Sequence, residues 1–304
     1  MLAESGATTT NGHPPSAGAA SSGHGQPSPQ LVGDPAVVVT RLGEGRPTLL
    51  LHGGGPGCTS CNDFAQVTDW LVIGRELLLV DLPQFGHAGT PLIDGPVLSF
   101  HAARLADLLD SLELADVDVI AQSLGGGVAL CLAAERPELI RRIVATGCQP
   151  IPFARADDPR IGLGVRVRER YYGGDGPSLA KMRELIGTLE WHDASAVPQH
   201  LVSRRHAASM LRGPHTFGLD HHGRGEPQDL SAVLPHVAAE VLLIWGEHDP
   251  FSDPGYAHDL ARRLPHAQVR VVANAAHHPQ SEYPQLYAGL AGEFLSTLGP
   301  REQP

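Results

Sequence analysis

The 304-residue sequence predicts an α/β protein built on a mostly parallel, doubly wound sheet. Three observations support this fold class. Short apolar runs, typical of strands, alternate with longer segments of helical periodicity. The runs are continuously apolar, as in strands buried on both faces of a parallel sheet. The composition, with 42% hydrophobic and 18% charged residues, is that of a globular protein.

Composition and charge exclude several classes of protein. The formal net charge is −11, whereas nucleic-acid binding needs clustered Lys and Arg, so no nucleic-acid partner is expected. No apolar run approaches the roughly 20 residues that cross a bilayer. The first ten residues, MLAESGATTT, lack the basic and apolar regions of a secretory signal. Because four cysteines do not indicate a disulfide scaffold, we expect a cytoplasmic protein that is not bound to a membrane.

The first 30 residues differ in composition from the rest. Gly, Pro, Ser, Thr and Ala make up 22 of residues 1–30, and Glu4 is the one charged side chain among them. Such a segment buries too little apolar surface to offset its ordering entropy, so we predict a disordered tail. The remainder is long enough for one large domain with an insertion. We place the core at residues 31–149 and 236–304 and the insertion at residues 150–235.

The core contains the apolar runs that predict strands. They lie at residues 47–52, 76–81, 117–122, 139–145, 240–245 and 268–272. Helical periodicity is found at residues 98–112, 124–135, 255–263 and 282–298. Since parallel strands need such crossovers, the alternation predicts a doubly wound sheet.

Residues 150–235 interrupt the alternation. They contain no convincing strand but several helix-like pieces, such as residues 178–186 and 198–211, so we predict a helical lid over one end of the sheet. Between residues 150 and 212, ten Lys and Arg outnumber seven Asp and Glu. Two interpretations remain open: a solvated face, or a lid whose cations meet an anionic ligand.

A serine follows the third predicted strand. Residues 121–126 (AQSLGG) place Ser123 at a sharp strand-to-helix turn with small neighbours, where its hydroxyl would project above the sheet edge. The usual pattern is Gly-x-Ser-x-Gly, and Ala121 replaces the first glycine without adding much bulk. The N–H of Leu124, at the helix N-terminus, would face an oxyanion. A glycine-rich helix start with a purely structural role is the alternative.

The loop after the first predicted strand, His52 to Gly57 (HGGGPG), is the second candidate. Glycines let backbone amides approach a ligand closely. The loop lies where a second oxyanion donor must lie relative to Ser123. A tight structural turn is the alternative.

The last two predicted strands end near an acid and an imidazole. A serine nucleophile needs a base, and the base needs a group that orients it. Asp249 follows the strand at residues 240–245, and His277 and His278 follow the strand at residues 268–272. The order Ser123, Asp249, His277 is that of the α/β-hydrolases.

Metal chemistry is not expected. The spacing of the 17 histidines, including His215, His221, His222 and His248, fits no ligand pattern, and Cys58-x-x-Cys61 lacks a second such pair. A role as small packing residues explains Cys58 and Cys61 better than a redox pair does, although the sequence does not decide whether they are redox-active.

Five segments give the chain a resemblance to a known family. They are LLHGGGPG from Leu50, VDLPQFG from Val80, SLGG from Ser123, IWGEHD from Ile244 and AHHPQSE from Ala276. Over roughly residues 31–298 the sequence resembles the α/β-hydrolase superfamily, and within it the meta-cleavage-product hydrolases, serine-dependent enzymes that cut carbon–carbon bonds. The resemblance implies the α/β-hydrolase fold with a helical lid.

The resemblance also implies roles for individual residues. Ser123 would be the nucleophile or the partner that activates water, His277 the base and Asp249 its orienting acid. The N–H groups of Gly54 and Leu124 would form the oxyanion hole. Gly53 and Gly55, beside them in the loop, would contact the substrate. The lid arginine that contacts the substrate carboxylate in this family matches Arg205, with Arg204 adjacent to it.

Three departures affect the substrate pocket. His278 stands where the family has Trp, Gln122 stands where it has Asn, and Asn62 and Asp63 occupy the position of a pocket Asn. We expect Gln122, Asp63 and His278 to contact the substrate.

The implied reaction is hydrolysis of a C–C bond in a 2-hydroxy-6-oxo-dienoate, a small molecule with a carboxylate, and it needs no cofactor. The alternatives are hydrolysis of a carboxylic ester, thioester or prolyl amide by the same triad, or a biosynthetic hydrolase acting on a larger aromatic or polyketide substrate. A non-catalytic binding protein of the same fold is a further class, which the intact triad disfavours. Relatives often form dimers or larger homo-oligomers, but the sequence identifies no interface.

Overall fold

A mixed eight-stranded sheet is the centre of the computed structural model, which describes residues 28–219 and 222–296. The strand order is β1-β2-β4-β3-β6-β7-β9-β10. Strands β1 and β2 pair antiparallel, as do β2 and β4, and all later pairs are parallel. The fold class predicted from the sequence is confirmed. Of the predicted tail, residues 1–27 lie outside the described residues.

The strands of the main sheet agree with the six predicted runs and add two. Their bounds are β1 Gln30–Val32, β2 Val37–Gly43, β3 Arg46–Leu51, β4 Arg75–Asp81, β6 Val117–Gln122, β7 Ile140–Thr146, β9 Glu240–Gly246 and β10 Ala267–Val272. A separate parallel pair consists of β5 Ile93–Pro96 and β8 Arg224–Glu226.

Helices cover both faces of the sheet and form the lid. The core helices are α1 Ser60–Asp63, α2 Thr68–Leu71, α3 Val97–Ser111, α4 Leu124–Glu135, α9 Pro254–Ala261, α10 Pro279–Glu282 and α11 Pro284–Ser296. The lid helices are α5 Leu163–Tyr172, α6 Leu179–Leu185, α7 Gln199–Ser209 and α8 Arg212–Leu219. A π-helix spans Ile186–Glu190, and 3-10 turns span Ala194–Ala196 and Leu234–His236.

Successive residues of each central strand belong to different apolar clusters. Leu49 and Leu51 of β3 pack in a cluster that includes α3, α4 and α9, whereas Leu50 packs in the cluster of α11. Val119 and Ile120 of β6 divide in the same way. Because side chains alternate across a strand, continuous apolar runs bury both faces of the sheet.

The last strand of the sheet differs from the prediction. Residues 268–272 resemble the buried runs in sequence, but β10 lies at the edge and half of it is open, with Val271 45% exposed. Strand β2 was not predicted, although Val37, Val38 and Val39 are buried. Its antiparallel pairing with β4 depends on distant residues rather than on a local pattern.

The lid segment contains the two predicted helical pieces as α6 and α7. Its side chains form their own apolar cluster, which includes Tyr171, Met182, Ile186 and Trp191. The expectation of no strand in residues 150–235 is wrong, because β8 pairs with β5. This three-residue strand contains Gly225 with φ +81° and has no apolar run that could identify it.

Within the described residues, the longest apolar helices are too short or too polar to cross a bilayer.

A buried ion cluster lies on β6, the strand that leads to Ser123. Asp118 is fully buried and accepts hydrogen bonds from Arg75, at 2.7 Å, and from Arg141, at 2.8 Å to each oxygen. Arg141 also donates to the carbonyl of Leu295 at 2.8 Å. The cluster therefore joins β4, β6 and β7 to the end of α11.

We expect Asp118→Asn to lower the free energy of unfolding by about 3–5 kcal/mol, because the buried guanidinium of Arg75 loses its carboxylate partner. Urea unfolding followed by circular dichroism measures this change. The control is Asp107→Asn, which removes a carboxylate that is 61% exposed from its ion pair with Arg104. It should change stability by less than about 1 kcal/mol. Equal effects of the two substitutions would contradict the structural role of Asp118.

Candidate active site

The carboxyl ends of the parallel strands lie at one edge of the sheet. Leu51 of β3 is in register with Ala121 of β6, and Gly246 of β9 with Val272 of β10. The loops that follow carry the glycine-rich segment, Ser123, Asp249 and His277. Register alone therefore brings the predicted catalytic groups to a common edge.

Ser123 occupies a strained turn between β6 and α4. Its backbone has φ 48° and ψ −110°, and its N–H donates to the carbonyl of Thr146 at 2.7 Å. Positive φ is unfavourable for a residue with a Cβ and is found where a side chain must be held in position. The turn needs Gly125, because a Cβ there would lie 2.6 Å from the carbonyl oxygen of Leu51.

Asp249 and His277 form a buried pair. Nδ1 of His277 lies 2.8 Å from Oδ2 of Asp249, while Oδ1 of Asp249 accepts the N–H of Phe251 at 2.8 Å. With Nδ1 protonated and donating to the carboxylate, Nε2 of His277 is left free to accept a proton. The ring of Phe251 lies 4.4 Å from that of His277.

The charges around His277 determine its protonation. Burial by itself would lower its pKa, but the charge and hydrogen bond of Asp249, with further contributions from Glu190 and Asp63, raise the pKa above its ordinary value. These carboxylates therefore strengthen His277 as a proton acceptor.

A glycine that the sequence analysis missed makes room for this pair. Gly147 follows β7 with φ +60°, and a Cβ there would lie 2.5 Å from Cε1 of His277 and 3.2 Å from Oδ2 of Asp249. Its only sequence signal is its place after a predicted strand. Any side chain at this position would displace the imidazole.

Gln122 supports the backbone of the histidine loop. Its Nε2 donates to the carbonyl of His277 at 2.9 Å, and its side chain is fully buried. In the described structure Gln122 is not part of the cavity wall. Its contact is therefore with His277 rather than with the cavity in which we expect substrate.

Hydrogen bonds hold the glycine-rich loop in place. The N–H of Gly53 donates to Oδ2 of Asp63 at 2.8 Å, and Nδ1 of His52 lies 2.7 Å from the carbonyl of Gly53. Nε2 of His52 accepts the N–H of Leu82 at 3.0 Å, so the ring bridges two loops. Burial lowers the pKa of His52 and keeps the ring neutral for both bonds.

The two predicted oxyanion donors are neighbours. A Cβ placed on Gly54 would lie 3.4 Å from Cβ of Leu124. The amide of Leu124 is at the first turn of α4, where backbone N–H groups have no partner within the helix. The N–H of Gly53, in contrast, is occupied by Asp63.

A cavity of about 360 Å³ lies between this edge and the lid. Among the residues predicted for the site, its wall includes Ser123, Leu124, Gly53, Gly54, Gly55, His277 and His278. Of the other predicted residues, Asp249, Asp63, Gln122 and Arg205 lie behind the wall in the described structure. The wall also contains residues that the sequence analysis did not single out, notably Glu190, Arg168, Arg224 and His101.

Arg205 is enclosed by protein groups. Its guanidinium donates two hydrogen bonds of 2.9 Å to Glu190 and two more, of 3.0 and 3.1 Å, to the carbonyl of Pro56. It also lies 3.7 Å from Oδ1 of Asp63. Arg205 is 1% exposed. Its charge is compensated within the protein, and it joins the lid to the glycine-rich loop.

Glu190 ends the π-helix and faces the cavity. Burial would raise its pKa, but the charge of Arg205 outweighs this effect, and the pKa is lowered to about 2. Burial lowers the pKa of His278, whose Nδ1 lies 3.9 Å from Glu190. At neutral pH this part of the wall therefore carries an ionised carboxylate beside a neutral imidazole.

The described residues contain no cluster of three or more His, Cys, Asp or Glu arranged to hold a metal ion. Burial raises the pKa of the Cys58 thiol well above its usual value and also raises that of Cys61. Neither thiol is therefore activated as a thiolate.

We expect Arg205→Leu to destabilise the protein by about 3–5 kcal/mol, because Glu190 would remain buried without its counter-charge. Combining it with Glu190→Leu should recover much of this loss. Arg204→Leu is the control, since Arg204 is an exposed neighbour that donates to the carbonyl of Cys61 at 3.1 Å. Unfolding in urea measures all four proteins. If Arg205→Leu were as stable as the parent, the ion pair between Arg205 and Glu190 would not hold the lid in place.

Comparison with known proteins agrees with this architecture. The family model described as alpha/beta hydrolase fold matches residues 47–284. The 2-hydroxymuconate semialdehyde hydrolase of Pseudomonas putida is 31% identical over 273 residues, and that of Pseudomonas sp. strain CF600 is 29% identical over 265 residues. Each alignment covers 84% of this chain and 88% of the relative.

A solved structure shows the same fold. The meta-cleavage product hydrolase CumD of Pseudomonas fluorescens IP01 matches with a TM-score of 0.73 at 21% identity, covering 86% of this chain and 94% of that one. The family match, the strand order and the turn at Ser123 lead to one conclusion. The chain belongs to the α/β-hydrolase fold family and, within it, resembles the meta-cleavage product hydrolases, as its motifs predicted.

Proposed function

We propose that the protein hydrolyses a C–C bond in a 2-hydroxy-6-oxo-dienoate, with Ser123, His277 and Asp249 as its catalytic triad. The observation that supports this most directly is that Ser123, on its strained turn, and His277, bonded to Asp249, line one cavity. The relatives that are named 2-hydroxymuconate semialdehyde hydrolases support the substrate class.

The reaction begins with ketonisation of the dienol. The proton of the C2 hydroxyl is lost and C5 gains one, which creates an electron-accepting enone beside the bond to be cut. His277 then takes a proton from Ser123, or from a water that Ser123 positions, and the oxygen attacks the C6 carbonyl. The N–H groups of Gly54 and Leu124 stabilise the resulting oxyanion.

Collapse of this intermediate breaks the C5–C6 bond. The electron pair of that bond enters the enone and regenerates a 2-hydroxydienoate, while C6 becomes an acyl group. If Ser123 has attacked, water activated by His277 then hydrolyses the acyl-enzyme. In sum, one substrate and one water give a carboxylic acid and a 2-hydroxydienoate, and no redox step is involved.

We also propose a cytoplasmic location. Four free cysteines lie in the described part of the chain. Unpaired thiols suit a reducing compartment.

Ser123→Ala should reduce turnover by at least about a thousandfold, since removing a triad member leaves only binding and the oxyanion hole. The measurement is loss of the dienoate chromophore. Ser203→Ala is the matched control, because Ser203 is exposed on α7. Unchanged activity of Ser123→Ala would overturn the assignment of the nucleophile.

A substrate panel separates the proposed reaction from its alternatives. A 2-hydroxy-6-oxo-dienoate, a p-nitrophenyl ester and a prolyl amide are compared at matched concentrations. Fast loss of the dienoate, at a rate well above that for the ester, is expected. Ester or amide turnover alone would replace C–C hydrolysis with a generic serine hydrolase.

The pH dependence follows from the surroundings of His277. Only the neutral imidazole accepts a proton, and its pKa is raised above the ordinary value of 6.5. The acid limb of kcat/KM should therefore lie above pH 6.5. Glu190→Gln should move this limb to lower pH by removing a nearby negative charge, whereas Glu184→Gln, on the exposed side of the lid, should not. An acid limb at or below pH 6.5 in the parent would contradict this electrostatic account.

A further inference from the structure

Two lid arginines share the cavity wall with Ser123 and His277. Arg168 belongs to α5 and Arg224 begins β8, so the chain brings them together from segments more than fifty residues apart. Both side chains are half-buried. A buried guanidinium ordinarily has a carboxylate partner, so the surroundings of these two need explanation.

Neither arginine forms an ion pair with an acidic side chain in the described structure. Nε of Arg168 is buried without a hydrogen-bond partner there. Arg224 donates through one terminal nitrogen to the carbonyl of Phe217 at 2.7 Å. Glu169, the next residue on α5, is exposed. Its charge raises the pKa of Arg168, but the effect of burial, which lowers that pKa, is larger. Both residues line the cavity wall, and among the described residues neither has a carboxylate partner there.

The charges at this end of the cavity are unfavourable as they stand. Burial lowers the pKa of Arg168, and burial together with the charge of Arg168 lowers the pKa of Arg224 to about 10. His101 lines the same wall, and its Nδ1 is also without a partner in the described residues. Burial is the main cause that lowers the pKa of His101 to about 3, so its ring is neutral.

Arg224 is nevertheless held firmly. Gln84, in the loop after β4, donates to the carbonyls of Pro91 and Gly223, and Gly223 precedes Arg224 directly. Gln228 exchanges hydrogen bonds with Ser99 of α3 at 2.8 and 2.9 Å. These contacts anchor the backbone of β8 on both sides, and the bond to the carbonyl of Phe217 holds one end of the Arg224 guanidinium.

Arg205 is poorly placed for the same task. Both terminal nitrogens of the Arg205 guanidinium donate to Glu190, and Asp63 adds a second negative charge nearby. A substrate carboxylate approaching there would meet Glu190 at the wall. Arg205, behind the wall, is thus neutralised within the protein, whereas Arg168 and Arg224, in the wall, have no acidic partner among the described residues.

We propose that Arg168 and Arg224 together bind a carboxylate of the substrate. This inference rests on the proposed function for the identity of the substrate, but the site itself is defined by the two arginines. A carboxylate between them would accept charge-assisted hydrogen bonds and remove the repulsion between like charges.

The carboxylate has two sources in this substrate class. It is either the C1 carboxylate of the dienoate or a second carboxylate at the far end of the acyl fragment, as in a dioate. The chemistry at the arginines is the same in both cases. The experiment therefore uses 2-hydroxy-6-oxohepta-2,4-dienoate, with one carboxylate, and 2-hydroxy-6-oxonona-2,4-diene-1,9-dioate, with two.

Arg168→Gln and Arg224→Gln should each lower kcat/KM at least about tenfold, the equivalent of one charged hydrogen bond. A fall for both substrates assigns the site to the dienoate carboxylate. A fall for the dioate alone assigns it to the second carboxylate. Arg170→Gln is the matched control, since Arg170 lies on the same helix but pairs with Glu184 on the outside. If the two cavity variants match this control on both substrates, the proposal is overturned.

A second pair of substrates keeps the test independent of C–C hydrolysis. Mono-4-nitrophenyl glutarate is an anionic ester and 4-nitrophenyl acetate a neutral one, and both need only a serine hydrolase. The ratio of their kcat/KM values should fall at least about tenfold in Arg168→Gln and Arg224→Gln. Such a fall without dienoate turnover would support the carboxylate site while refuting the proposed function. Because the carboxylate of the anionic ester lies on its acyl side, an unchanged ratio refutes a site for a carboxylate of the acyl fragment. An unchanged ratio together with dienoate turnover equal to that of the Arg170→Gln control refutes the carboxylate site as a whole.

Discussion

The buried guanidinium of Arg205 connects the three parts of the protein that form the cavity. It binds Glu190 of the lid, the carbonyl of Pro56 in the glycine-rich loop and, at longer range, Asp63. Asp63 in turn fixes the N–H of Gly53, and the carbonyl of Glu190 accepts the N–H of His278 at 3.0 Å. Because a buried charge must be compensated, the positions of lid, glycine loop and histidine loop depend on one another.

The sheet and the buried charge network therefore determine different parts of the site. The sheet determines where Ser123 and the Asp249–His277 pair lie, because each follows the end of a parallel strand. The buried charge network determines how closely the lid approaches them. Residues such as Gln122 and Asp63 act behind the wall, where they hold backbone groups of His277 and Gly53. Asp63 and Glu190 also act at a distance, since their charges help to raise the pKa of His277.

Much of the architecture could be predicted because each strand and its end can be recognised from a short stretch of neighbouring residues. The continuous apolar runs around Leu50 and Ile120 identify strands buried on both faces, and the loops after them follow directly. The surroundings of Arg205 could not be predicted in this way. Glu190 lies 15 residues away in a π-helix, and no periodicity indicates that the two side chains meet. The same holds for Arg168 and Arg224, whose proximity depends on how β8 pairs with β5.

The cavity wall is electrically asymmetric. On one side Glu190 lines the wall, with Asp63 and Arg205 behind it; on another, Arg168 and Arg224 line the wall without acidic partners among the described residues. Such a field is screened less in a cleft between protein walls than in open water. An elongated molecule with one charged end would therefore enter in a single orientation. Its uncharged carbonyl would then present the same face to Ser123 on every turnover.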